Sequence, residues 1–346
     1  MNRIARSPLA TGATIAGIAT HLPDGVLGNE ALAEIFPEWP AAKIMEKIGI
    51  RERRVAAPGE TAADLAFAAA TKLFAKEGCD PESIDFLIFC SQAPDYILPT
   101  TACVLQHRLG LSTRSGAVDL NLGCSGFVYG LSLATGLIAS GAARRVLLLT
   151  ADTYSKYIHD LDKSVRTLFG DGAAATLVVA SEHGGTIGPF VFGTDGRGAD
   201  SLMVPAGGFR TPHSEATAVE HTDRAGNVRS ANHLYMDGAA VMAFTLREVP
   251  RAMHQLLEKS GAVIDDYEFF VLHQANKFML DALQKKLGIA DDRFPRRFED
   301  IGNTVSSTIP FVLAGLMADG QLKAGTTIMV IGFGVGLSWA AGAITL

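Results

Sequence analysis

The strongest constraint on the fold is that the chain echoes itself at a spacing of about half its length. Ile84–Tyr96 reads IDFLIFCSQAPDY and Tyr267–Phe278 reads YEFFVLHQANKF; each is an apolar run ending in a polar turn, and their shared Gln-Ala sets Gln92 and Gln274 182 residues apart. The same offset places Cys124, in DLNLGCSGF, opposite Ser306, in DIGNTVSST. RRVLLLTADT and TTIMVIGFGVG then match at an offset of 181. Three matches in one order imply an internal duplication, in which each half alternates strand and helix and covers a buried sheet with helices. The expected fold is α/β, a five-layered αβαβα sandwich built from two duplicated halves, residues 1–182 and 183–346. Residues 194–235, rich in Gly, Thr, His and charge, read as a loop-like excursion of the kind that shapes a pocket.

Composition bounds the function. With 48% hydrophobic and 19% charged residues in 346, the chain can bury a large core. A formal net charge of -6 without a basic block argues against a nucleic-acid surface. No apolar run approaches the ~18 residues of a membrane span. TIAGIATHLP, after Arg3 and Arg6, reads as a first strand and turn rather than a secretory signal. Four cysteines without a C-x-x-C pair suit a reducing compartment, so the cytoplasm is the expected location.

The segment NLGCSGFVYG (Asn121–Gly130) puts Cys124 between a strand-like run and a helix of small residues. A sulfur there faces the unpaired N–H groups and positive dipole end of a helix, which lower a thiol's pKa. Cys79, Cys90 and Cys103 lack such a turn and read as small core residues. A nucleophilic cysteine needs partners from elsewhere. The duplication nominates His273, at the end of the second-half strand, and Asn303, three residues before the counterpart of Cys124; a two-fold relation between the halves would bring all three to one pocket. The other eight histidines read as surface or core residues, and His159, Asp160 and Asp162 as a solvated loop without metal-site spacing. GFGVG is no dinucleotide fingerprint, because Leu337 stands at the third glycine and a strand-like run follows.

GCSGF, FGDGAAATLV (Phe169–Val178), HQAN (His273–Asn276), GNTVSSTIP (Gly302–Pro310) and GFGVGLSW (Gly332–Trp339), with GIRERR (Gly49–Arg54) and Trp39, together resemble the β-ketoacyl-acyl-carrier-protein synthase III family. The resemblance spans almost the whole chain and implies a thiolase-type fold, a homodimer and a Cys-His-Asn catalytic group. It makes Cys124 the acyl-accepting nucleophile, gives His273 and Asn303 to the malonyl thioester carbonyl, assigns an oxyanion N–H to Gly336, and makes Phe333 an apolar wall that promotes carboxylate loss. It assigns coenzyme A and pantetheine contacts to Trp39, Lys163 and Asn276, an acyl-pocket gate to Leu98, and carrier docking to Lys277, Lys285 and Lys286. Its substrates are an acyl-CoA and malonyl-acyl-carrier protein, with no metal or other cofactor. No cysteine follows Cys124, which sets aside thiolases with a second catalytic cysteine; Asn303, where chain-elongating synthases have a histidine, favours the priming type. Lys277 and Phe278 follow HQAN where the family commonly has an arginine in the second position. The alternatives are a non-decarboxylating acyltransferase or specialised β-ketoacyl synthase of the same fold, and a catalytically silent carrier-binding paralogue.

Overall fold

A computed structural model describes residues 12–181 and 185–346 of the chain. Arg3, Arg6 and the 182/183 boundary expected between the halves lie outside the described residues. Two mixed sheets carry the fold. The first runs in the order Gly12–His21, Gly172–Ser181, Arg145–Asp152, Phe86–Cys90, Gly116–Leu120, the last three strands mutually parallel. The second runs Phe269–Leu272, Thr327–Gly334, Ser338–Thr345, Thr186–Thr194, with its first pair parallel and the others antiparallel.

Strand alternation sorts the continuous apolar runs onto two buried faces. In RVLLLTAD, Val146 and Leu148 face the layer between the sheets, whereas Leu147, Leu149 and Ala151 face the outer helices. In TIMVIGFG the same division puts Ile328 and Val330 inward, with Met329, Ile331 and Phe333 in the opposite core. Helices Gly126–Ala139 and Thr308–Ala318 lie between the sheets and touch strands of both. Ala62–Glu77 covers the outside of the first sheet and Gly238–Ser260 the outside of the second, which completes five layers. The central helix needs its small residues: a Cβ on Gly130 would lie 2.6 Å from a Leu148 methyl.

The excursion at 194–235 is less bare than its composition suggests. It holds a 3-10 segment, a short hairpin of His221–Thr222 with Val228–Arg229, and a strand pair of Leu202–Met203 with Tyr235–Met236. Two expectations need correction. Asp162 is fully buried, because it caps the turn Lys163–Arg166 and pairs with Arg229 at 2.6 Å. Cys103 is exposed on the short helix Thr101–Arg108. Among the described residues, no helix is long and apolar enough to cross a membrane.

Candidate active site

Each sheet delivers one side of a single cavity from its strand ends. Cys124 sits in the turn between strand Gly116–Leu120 and helix Gly126–Ala139, closed by a Gly126 N–H to Gly123 carbonyl bond of 2.8 Å. The next residue ties the two halves together through Ser125 Oγ and Ser338 Oγ, 2.7 Å apart. His273 follows strand Phe269–Leu272, and its backbone N–H extends that pairing to the Ile331 carbonyl at 2.9 Å. Asn303 is held on both sides by Leu168–Gly170: its N–H donates to the Leu168 carbonyl and its carbonyl accepts from Gly170. Its Oδ1 accepts the Val305 N–H at 2.9 Å, which leaves the amide NH2 for the cavity.

Cys124, His273, Asn303, Asn276, Phe333 and Gly334 line this cavity of about 220 Å3, with Leu168, Phe169, Val241 and three methionines making most of the wall apolar. Phe333 meets the His273 ring edge to face, centroids 5.4 Å apart. The structure thus brings Cys124, His273, Asn303, Phe333 and Asn276 together in one cavity. Asn276 also caps helix Lys277–Leu287 by accepting the Met279 N–H at 2.9 Å.

One feature differs from expectation. Burial and the nearby Asp152 carboxylate push the Cys124 thiol up to about 12, against hydrogen bonds to the sulfur from the backbone N–H groups of Cys124 and Val335. The helix-end effect expected to lower that value is outweighed by desolvation. Besides its own N–H, the backbone group acting on the sulfur is that of Val335. Gly336 adopts a φ of 138° and turns the chain between the last two strands. Burial holds His273 down to about 3, opposed by a hydrogen bond with the Val305 backbone, so the ring is neutral.

Sequence reasoning missed Gly334 and Asp152. A Cβ on Gly334 would lie 2.9 Å from the Cys124 sulfur, so the strand reaches the nucleophile as closely as a backbone can. Asp152 ends strand Arg145–Asp152 fully buried, accepting from the Gln92 N–H at 2.8 Å and from Ser306, and desolvation raises it to about 7. A charged residue closing a long apolar run was the available signal.

The outlying candidates lie apart from the sulfur. Trp39 and Lys163 belong to one cluster: Lys163 Nζ pairs with Glu38 at 2.8 Å and donates to the Ala225 carbonyl, while Lys43 Nζ stands 5.0 Å from the indole centroid. Lys277 is engaged by Asp281, and Lys285 and Lys286 are exposed on the last turn of their helix. Leu98 is 80% exposed in an apolar segment with Tyr96 and Ile97 and does not line its own chain's cavity. No group of three or more potential metal ligands occurs among the described residues.

A family model described as 3-oxoacyl-[acyl-carrier-protein (ACP)] synthase III matches residues 118–196, and the corresponding C-terminal model matches 257–346. A beta-ketoacyl-[acyl-carrier-protein] synthase III of Caldanaerobacter subterraneus subsp. tengcongensis is 34% identical, covering 96% of this chain and 97% of the relative. Among solved structures, a 3-oxoacyl-(acyl-carrier-protein) synthase III superposes with a TM-score of 0.95 at 61% identity, covering 97% of this chain and 100% of the other. A 3-oxoacyl-(acyl-carrier protein) synthase from Burkholderia xenovorans superposes at 0.90 with 39% identity over 97% and 95%.

Proposed function

Since the chain belongs to the 3-oxoacyl-[acyl-carrier-protein] synthase III family, we propose a specific division of labour for the condensation run in its cavity. The enzyme is an acyltransferase of the thiolase-type fold: it takes the acyl group of a coenzyme A thioester and joins it, with loss of carbon dioxide, to malonyl-acyl-carrier protein. The observation that carries the residue roles is the meeting of Cys124, His273, Asn303 and Phe333 in one apolar cavity.

In the first half-reaction the Cys124 sulfur bonds to the thioester carbon, the carbon–sulfur bond to coenzyme A breaks, and the thiol proton passes through neutral His273 to the leaving sulfur. The N–H groups of Cys124 and Val335, the backbone groups that act on the thiol, are assigned as the donors for the tetrahedral oxyanion. In the second, the malonyl carboxylate leaves as carbon dioxide and the enolate attacks acyl-Cys124. The Asn303 amide donates to the enolate oxygen together with His273, which is neutral at rest, takes up a solvent proton as the enolate's negative charge forms beside it, and then passes that proton to the Cys124 thiolate, so one proton is taken up per turnover. Phe333, buried against His273, withholds hydration from the carboxylate and favours its loss.

Around this centre, the Trp39–Lys163 cluster is the seat of the coenzyme A nucleotide, Asn276 of the pantetheine, and Lys277, Lys285 and Lys286 of an acidic carrier. The edge strand Gly116–Leu120 with Val118 41% exposed, and Leu133 46% exposed on the neighbouring helix, support a homodimer in which Leu98 reaches the partner's acyl pocket. The chain is read as two duplicated halves meeting near 182/183, working in the cytoplasm without metal or redox cofactor. The roles are tested by Asn303→Ala. Acylation of Cys124 stays near the wild-type rate while carbon dioxide release falls; equal loss of both contradicts the division of labour.

A further inference from the structure

Resting on that reading of His273, we propose that Thr308 is a positioning residue that fixes which ring nitrogen of His273 does the work. His273 and Thr308 are each 2% exposed, and Nδ1 lies 2.7 Å from Thr308 Oγ1. A hydroxyl has one hydrogen, and its use decides the imidazole tautomer. Thr308 Oγ1 lies 3.2 Å from the Val305 carbonyl, which has two lone pairs and no hydrogen to give and is also the backbone partner of the His273 ring, so the hydroxyl hydrogen and the ring N–H are both directed to that side. A hydroxyl lone pair then accepts Nδ1–H. The neutral ring, which burial enforces, therefore carries its proton on Nδ1 and leaves Nε2 as an open acceptor.

That setting serves both half-reactions without rearrangement. During acylation, Nε2 receives the proton lost by Cys124 and returns it to the coenzyme A sulfur. During condensation, a proton taken up from solvent resides on Nε2, which donates to the enolate oxygen and then to the departing Cys124 thiolate. Thr308 accepts from Nδ1–H in the neutral and in the charged ring alike, so the imidazole plane is held through the cycle. Its location supports this role: Thr308 opens helix Thr308–Ala318 directly beyond the loop that carries Asn303, so one segment orients both groups that face the thioester oxygen.

The test compares Thr308→Val, which keeps the shape and removes the hydroxyl, with Thr308→Ser, which keeps the hydroxyl and removes a methyl. Single-turnover acylation by an acyl-CoA and carbon dioxide release with malonyl-carrier protein are followed for both, with melting curves alongside. Loss of one buried hydrogen bond that orients a reacting group is expected to slow both steps in Thr308→Val about tenfold at an unchanged KM for acyl-CoA. Thr308→Ser stays within about threefold of wild type. Wild-type rates in Thr308→Val, or equal slowing in both variants, overturn the proposal, and if Thr308→Val does not fold, the Ser variant alone decides by whether its rates survive. Full activity in His273→Ala would instead overturn the role of His273 itself.

Discussion

Replacing Gly334 by alanine probes how tightly the nucleophile is held. The added Cβ would lie 2.8 Å from the Cys124 Cβ and 2.9 Å from its sulfur. Non-bonded heavy atoms prefer about 3.5–4.0 Å, so something must move by about 0.6–1.2 Å. Gly334 is paired with Ser338 in the last hairpin, and Cys124 sits in a turn fixed by its own backbone bonds. The side chain most able to yield is the Cys124 thiol itself. Overpacking of this size costs about 1–3 kcal/mol of stability, and a misplacement near 1 Å costs a reaction about 10²-fold. Gly334→Ala should therefore melt at a lower temperature yet fold, and acylate about 10²-fold more slowly in a mass-resolved time course. Gly59→Ala, exposed and with nothing within 4 Å of the new Cβ, is the matched control. Acylation at the wild-type rate in folded Gly334→Ala would refute the claim that the sulfur is held by this contact.

Asp152 is raised to about 7 by burial, so between about pH 4 and 7 the folded chain binds a proton that the unfolded chain has lost; stability should fall as pH rises across that window, and urea unfolding of Asp152→Asn should show a flatter dependence. The same substitution removes a negative charge that raises the Cys124 thiol, so alkylation by iodoacetamide at fixed pH should accelerate, about tenfold for each unit the thiol pKa falls. Glu38→Gln releases Lys163 from its ion pair and should lower KM for acyl-CoA about two- to fivefold at unchanged kcat, with no change for an acyl-pantetheine lacking the nucleotide. The proposed homodimer is tested by Val118→Lys and Leu133→Glu introduced together: light scattering should give a dimer's mass for wild type and a monomer's for the variant, and a monomer's mass for wild type contradicts it.

The layers and the central residues were legible because duplication leaves a constant offset, and because continuous apolar runs must be buried on both faces of their sheets. Cys124, His273 and Asn303 lie at strand ends or in loops that the offset itself relates, so their meeting in one cavity followed from topology. What stayed hidden depends on distances rather than order. The high pKa of Cys124 depends on the enclosure around it and on Asp152, 28 positions later in the chain, which the sequence does not place beside it. Asp162 looked solvated because its partner Arg229 comes from a distant hairpin.

The central claim is that one sulfur carries the acyl group between two thioesters. Intact-protein mass after incubation with a panel of acyl-CoA thioesters, for wild type and Cys124→Ala, before and after malonyl-carrier protein is added, tests it most directly. The account predicts a gain of one acyl group on wild type alone, discharged by malonyl-carrier protein with release of carbon dioxide. An acylated Cys124→Ala, or an acyl group that persists on wild type in the presence of malonyl-carrier protein, would contradict it.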